Sequence, residues 1–215
     1  MDNPIINNAS QRGFWTGSFG DKYIDRNYSL KQINELYKSQ TGITVEKIFN
    51  DFFDNIDRNS KILEVGCNIG INLSVLRNMG FSNLSGLDVS KKALDIAKKN
   101  YPEINFYNSS IEEFDSQGKK YDLVYTAGVL IHINPSTINH VIDKIANLSN
   151  RYIFGFEYFS DTLTEINYRG NMGFCWKQNF PKLYKELFPS LKILKEKKFF
   201  YKDENFCDIA YLLEK

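Results

Sequence analysis

"KILEVGCNIG", residues 61–70, decides the fold. Ile62, Leu63 and Val65 belong to a short, β-favouring apolar run ended by glycine, the pattern of a buried strand in a parallel sheet. Gly66 lets the backbone turn sharply and approach a ligand, and Gly70 opens a helix whose first N–H groups face the same crevice. Strand, glycine turn and helix in immediate succession start a βαβ unit.

The alternation continues toward the C-terminus. "INLSVLRNMG" reads as a helix, "NLSGLDVS" as a strand, "KKALDIAKKN" as a helix, "INFYNSS" and "YDLVYTAGVL" as strands, "STINHVIDKIANLS" as a helix and "RYIFGFEY" as a fifth strand. Such repetition gives parallel strands covered on both faces. The rhythm breaks at the end, where the short helix "NFPKLYKELFP" precedes two strands, "LKILKEKKFFYKD" and "NFCDIAYLLEK", close enough to form an antiparallel hairpin. The expected fold is therefore α/β, a doubly wound, mostly parallel seven-stranded sheet with a C-terminal antiparallel hairpin. Toward the N-terminus, "SLKQINELYKSQTG" and "TVEKIFNDFFDNI" are amphipathic helices, stopped by Gly42 and capped by Thr44 respectively. Residues 1–57 are assigned to an N-terminal helical lid and helices packed on the core, and residues 58–215 to the core itself, with an acceptor loop around 158–180.

Composition narrows the function. The 215 residues suffice for one well-buried α/β domain with decorations. A formal net charge of +1 gives no global attraction to nucleic acid or an anionic membrane, so a small partner fits better. The run "KILKEKK" reads as the wet face of an edge strand, where lysines discourage aggregation. Three widely spaced cysteines and two histidines, with no CxxC or HExxH, leave a structural metal too few ligands and favour a reducing compartment. No basic leader, and no apolar run long enough to cross a bilayer, points to a cytoplasmic protein.

Ligands of such sheets bind at the carboxyl ends of the strands. There the first strand offers Glu64, suited to a ligand amino group, and then Gly66 and Gly70 in an ExGxNxG loop that lacks the dinucleotide GxGxxG pattern. The second strand ends at Asp88, about twenty residues past the glycine loop, where an acid meets ribose hydroxyls. The third ends in Asn108, Ser109 and Ser110, polar groups for the edge of an adenine, with Ile111 as apolar cover.

In this order these residues resemble the class I S-adenosylmethionine-dependent methyltransferases, a Rossmann-like fold, from about Lys61 onward. That family's first loop reads E/DxGxGxG, so Glu64, Gly66 and Gly70 match while Asn68 replaces the middle glycine. The resemblance implies S-adenosyl-L-methionine as cofactor and S-adenosyl-L-homocysteine as product, and extends the cofactor contacts to Cys67, Asn68, Val89, Ala127, Gly128 and Val129. "AGVLIHINP", "NRYIFGFEYFS", "INYRGNMGFCWKQNF", the opening "FWTGSFGDKYIDRN" and the closing "FCDIAYLLEK" further resemble the pseudaminic acid biosynthesis-associated methylases. This implies a sugar or amino sugar of bacterial surface-glycan biosynthesis as acceptor. "YFSDTLTEINYRG" is longer and more polar than that pattern and would permit a changed acceptor.

Methyl transfer needs alignment above all, and a base only where the nucleophile loses a proton. His132, after the fourth strand, suits that role; His140, within a helix, reads as structural. Glu157 and Tyr158 end the fifth strand and could meet the acceptor, with Glu157 a second catalytic candidate. Tyr168, Arg169 and Trp176 form the other wall, Arg169 being able to grip a carboxylate or phosphate through two N–H groups. Finally, "FWTGSFGDKYIDRN" reads as a cofactor lid: Trp15, Phe19 and Tyr23 offer aromatic faces to a sulfonium, Gly17 and Gly20 offer flexibility, and Arg26 a pair for the cofactor carboxylate. An RNA or peptide methyltransferase would need a basic or aromatic lane that the sequence does not display, and a non-catalytic module binding the same cofactor is the remaining alternative.

Overall fold

The computed structural model describes residues 8–26, 29–202 and 206–215. Asn27 of the lid stretch and residues 203–205 of the turn expected between the last two strands lie outside them.

The described residues open with two short helices, α1 (Asn8–Thr16) and α2 (Ser18–Ile24), then α3 (Leu30–Thr41) and α4 (Val45–Phe53). Helix α3 starts in a reciprocal cap between Ser29 and Gln32 and stops at Gly42, whose φ of 82° takes the left-handed turn that ends helices. Helix α4 is capped by the Thr44 hydroxyl and lays Ile48, Phe49, Phe52 and Phe53 on the sheet. It ends before Ile56, which continues the apolar stripe as a buried residue of the following turn.

The core alternates β1 (Ile62–Val65), α5 (Ile71–Asn78), β2 (Leu84–Asp88), α6 (Lys91–Asn100), β3 (Asn105–Asn108), β4 (Tyr121–Ala127), α7 (Ile138–Leu148) and β5 (Ser149–Tyr158). Strand β4 stops at Ala127; the apolar continuation Leu130–His132 is a 3-10 turn instead. A two-stranded ribbon, β6 (Thr164–Glu165) with β7 (Trp176–Lys177), lies in the expected acceptor loop and carries no strand pattern of its own in the sequence. Helix α8 (Phe180–Leu187) and strands β8 (Lys192–Phe200) and β9 (Cys207–Glu214) complete the chain.

The sheet has seven strands in the order β3-β2-β1-β4-β5-β9-β8. Strands β1 to β5 pair in parallel and β9 runs against both β5 and β8, as the sequence predicts for a late hairpin. Alternate residues feed two cores. Leu63, Val65, Val124 and Ile153 pack with α7 and α8 on one face, and Ile62, Leu123, Tyr125 and Phe154 with α4 and α5 on the other. The order reverses at β1, whose neighbours β2 and β4 lead away on either side, and a crevice opens there beyond the carboxyl ends.

Candidate functional site

The crevice is a cavity of 530 Å³, walled by the turns after β1, β2, β3 and β4 and roofed by α1 and α2. The turn after β1 forms its floor. Gly66 has a φ of 72°, and a Cβ there would lie 2.4 Å from a methyl of Val129, so only glycine fits. Asn68 replaces the family's middle glycine and still takes a φ of 48°, a region Asn tolerates better than other side chains. Its N–H donates to one oxygen of Asp88 at 2.8 Å, and the Ser90 N–H donates to the other at 2.8 Å. Asp88 thus ties the two turns together while lining the cavity, and a carboxylate accepting one bond per oxygen keeps lone pairs for a ligand hydroxyl. Burial raises its pKa, opposed by those same amides.

Gly66, Cys67, Asn68, Asp88, Val89, Ser109, Ser110, Ile111, Ala127, Gly128 and Val129, all expected from the sequence, line the cavity together with Trp15, Tyr23 and His132. The Cys67 thiol is buried and pushed up by that burial, which makes it a wall and not a nucleophile. Six further polar residues join the lining: Gln11, Arg12, Asn72, Ser90, Glu112 and Glu113. The helix pattern could have exposed Gln11 and Arg12, which lie one turn before Trp15; nothing local marks the others.

Other expected residues lie elsewhere. Glu64 does not reach the cavity. Its parity on β1 turns it to the α5 face, where it is 1% exposed and accepts from the Asn72 amide at 2.8 Å, and burial raises its pKa to about 8. Asn72 lines the cavity in its place. Gly70, with a φ of 82°, serves as the N-cap of α5. Phe19 stacks on Phe14 with ring centroids 3.9 Å apart and lies 6.1 Å from Tyr168, so it joins the lid to the acceptor loop outside the cavity. Arg26 does not line the cavity either; it lies over the Tyr23 ring at 5.6 Å.

Glu157 is likewise no wall. It is 1% exposed and accepts the backbone N–H groups of Val129 at 3.2 Å and Ile131 at 3.4 Å, so it brackets from below the loop that presents His132. Burial raises its pKa to about 7, against the bonds from those amides. Tyr158, Tyr168, Arg169 and Trp176 do not line the cavity. Of these, Tyr168 stands 4.7 Å from the His132 ring, and Trp176 is buried in β7.

His132 meets Trp15 at 4.7 Å, and its Nδ1 lies 2.7 Å from the Phe174 carbonyl. A carbonyl only accepts, so Nδ1 carries the proton and donates, which leaves the Nε2 lone pair for other work. Burial lowers the pKa to about 4, so the ring is neutral at physiological pH.

The roof is held at several points. Arg12 pairs with Glu113, Lys92 pairs with Asp25 at 2.6 Å, the Asn134 N–H donates to the Gln11 side chain at 2.9 Å, and Phe14 stacks on Phe174 at 4.0 Å. Two buried polar atoms of lining residues, Gln11 Nε2 and Asn68 Oδ1, have no partner among the described residues. One donor and one acceptor left open in such a cavity fit a polar ligand such as S-adenosylmethionine, which carries amino, carboxylate, hydroxyl and purine groups. Among the described residues no cluster of His, Cys, Asp or Glu could hold a metal, and no helix is long and apolar enough to cross a membrane.

Comparison with known proteins gives the same reading of the core. Residues 62–151 match the methyltransferase domain family. The ubiquinone biosynthesis O-methyltransferase of Rickettsia conorii is 35% identical over 110 residues, 49% of this chain and 37% of that protein. The EEF1A lysine methyltransferase 2 of Danio rerio is 34% identical over 88 residues, 38% of each chain. This chain spans less than two fifths of the length of the curated relatives it matches. Among solved structures, magnesium protoporphyrin IX methyltransferase from Synechocystis with bound S-adenosylmethionine superposes with a TM-score of 0.71 at 14% identity, covering 100% of both chains. The 1,6-didemethyltoxoflavin-N1-methyltransferase of Burkholderia thailandensis, with its substrate and S-adenosylhomocysteine, gives 0.72 at 15% identity, covering 100% of this chain and 93% of that one. The segment 62–151 is thus similar to the methyltransferase domain family, and the whole sheet shares the fold of these two methyltransferase structures.

Proposed function

We propose that the chain transfers a methyl group from S-adenosylmethionine to a small polar metabolite, with an amino sugar or sugar of surface-glycan biosynthesis as the first candidate. The observation that carries this reading is the cavity itself: a left-handed turn at Gly66 and Asn68, an acid at the end of β2 and a short polar run after β3 line one space. Bound there, the cofactor would supply an electrophilic methyl group. The floor turn would hold its amino-acid portion, Asp88 a ribose hydroxyl, and Ser109 to Ile111 the purine. Trp15 and Tyr23 would exclude water above it.

His132 is the base in this reading. With Nδ1 fixed on the Phe174 carbonyl, Nε2 takes the proton that a hydroxyl or amine acceptor gives up, and the same carbonyl steadies the resulting imidazolium. The choice of a sugar acceptor is supported by the sequence resemblance in the acceptor loop. Calorimetry with S-adenosylhomocysteine and with NAD tests the cofactor: binding of the first and not the second is expected, and the reverse would reject the proposal. Labelled S-adenosylmethionine incubated with fractionated cell extract then identifies the acceptor by the fraction that takes up label.

A further inference from the structure

The acceptor loop carries an arginine where the backbone disfavours one. Tyr168 and Asn171 exchange both backbone hydrogen bonds, 2.8 and 3.0 Å, around a two-residue turn in which Arg169 has a φ of 53° and Gly170 of 86°. Positive φ at both central positions calls for Asn-Gly or Gly-Gly. The turn is nonetheless firmly built, because Asn167 accepts the Gly170 N–H at 2.7 Å and the Asn171 amide donates to the Tyr168 and Arg169 carbonyls. An unfavourable residue held this firmly points to a use for its side chain.

That side chain reaches toward the site. The guanidinium lies 5.7 Å from the centre of the Tyr168 ring and meets its hydroxyl. Since the Tyr168 and His132 rings are 4.7 Å apart, guanidinium and imidazole lie within about 10 Å of each other, the span of a small metabolite. Tyr23, a cavity residue, and Tyr158 are in electrostatic reach of the Tyr168 hydroxyl. Arg12, Arg77 and Arg151 are each spent on a glutamate and Arg58 on two carbonyls, whereas among the described residues no carboxylate pairs with Arg26, which lies over Tyr23, or with Arg169, the one arginine of the acceptor loop. Of the two acids of the same loop, Glu165 is turned to the Gly173 N–H and Asp161 lies in reach of Cys207.

We infer that the methyl acceptor is anionic, carrying a carboxylate or a phosphate, and that Arg169 with the neighbouring phenols of Tyr168 and Tyr23 receives that group while the nucleophile lies at His132. The inference rests on the methyl-transfer reading above. Guanidinium supplies two parallel N–H donors to either anion and the phenols can add O–H donors, while the fixed positive charge of Arg169 repels a cationic group.

The test uses the full chain saturated with S-adenosylhomocysteine, its arginine Nε–H signals followed by NMR as inorganic phosphate is added in one arm and acetate in the other. A saturable shift of the Arg169 signal is expected, in the phosphate arm alone for a phosphorylated acceptor and in both arms for a carboxylate. Arg169→Asn is expected to weaken that binding at least about tenfold, the loss of one charge-assisted pair. It should leave the melting temperature equal or higher, since Asn suits the left-handed turn. An Arg169 signal that does not saturate in either arm, or an Asn variant that binds as the parent does, overturns the inference. Failure of S-adenosylhomocysteine to bind is read separately by calorimetry and would reject the methyl-transfer reading itself.

Discussion

At the scale of single residues, the site depends on backbone freedom at one position. Gly66→Ala would place a methyl group 2.4 Å from Val129 and force Ala to a φ of 72°, a strain of about 1–2 kcal/mol before the clash is counted. S-adenosylhomocysteine affinity should fall more than about tenfold in calorimetry, with a lower melting temperature. Arg26→Ala provides the contrast. Because Arg26 lies on Tyr23 and off the cavity, cofactor affinity should stay within about twofold, and a loss beyond tenfold would return Arg26 to the site. The glycines, Asp88 and the serines after β3 were legible in the sequence because each follows a recognisable strand. Glu64 and Glu157 were not, because a carboxylate at a strand end looks the same in sequence whether it faces the ligand or the underside of a loop. Only pairing with the burial of β-neighbours separates the cases: Glu64 shares its face with Ile62, and Glu157 with Ile153.

At the scale of elements, α1 and α2 form a roof whose firmest contacts are aromatic. The ion pairs of Arg12 and Lys92 are exposed and contribute little each. The stack of Phe14 between Phe19 and Phe174, with centroids 3.9 and 4.0 Å away, joins roof and acceptor loop. Phe14→Ala should remove about 1 kcal/mol of ring contact beyond the area lost, weaken S-adenosylhomocysteine binding several-fold and speed amide exchange across residues 8–24. Unchanged exchange there would show that the roof is held by other contacts. The aromatic richness of this stretch was visible from the start. Its division into two helices, and the little β6–β7 ribbon opposite, were not, since both are set by partners more than a hundred residues apart or by a handful of residues without periodicity.

At the scale of the whole molecule, buried ionisable groups set how stability follows pH. Glu64 and Glu157 have folded pKa values raised to about 8 and about 7, so the folded state holds protons that the unfolded chain has lost. Their contribution is full below the unfolded carboxyl range and is lost as pH rises through 7 and 8. His132, lowered to about 4, works the other way: its contribution is present above its unfolded value and is lost on acidification. Above pH 6.5 the histidine is neutral in both states and only the carboxyls remain. Thermal stability of the ligand-free protein should therefore decline between pH 6.5 and 8, Glu64 alone accounting for about 2 kcal/mol. Glu64→Gln should flatten the decline, and an equal slope in that variant would place the titrating group elsewhere.

The strand order has a consequence for how the chain is assembled. Strand β8 is made before β9, yet its sole neighbour in the sheet is β9, which must insert between it and β5. Until then β8 waits with both edges open, and the lysines at 192, 195, 197 and 198 then guard two edges where in the finished fold they guard one. Pairing of β5 with β9 joins residues some fifty positions apart, a closure that slows folding. The same charges that read as surface solubility in the folded state thus protect the nascent sheet while β8 waits for β9.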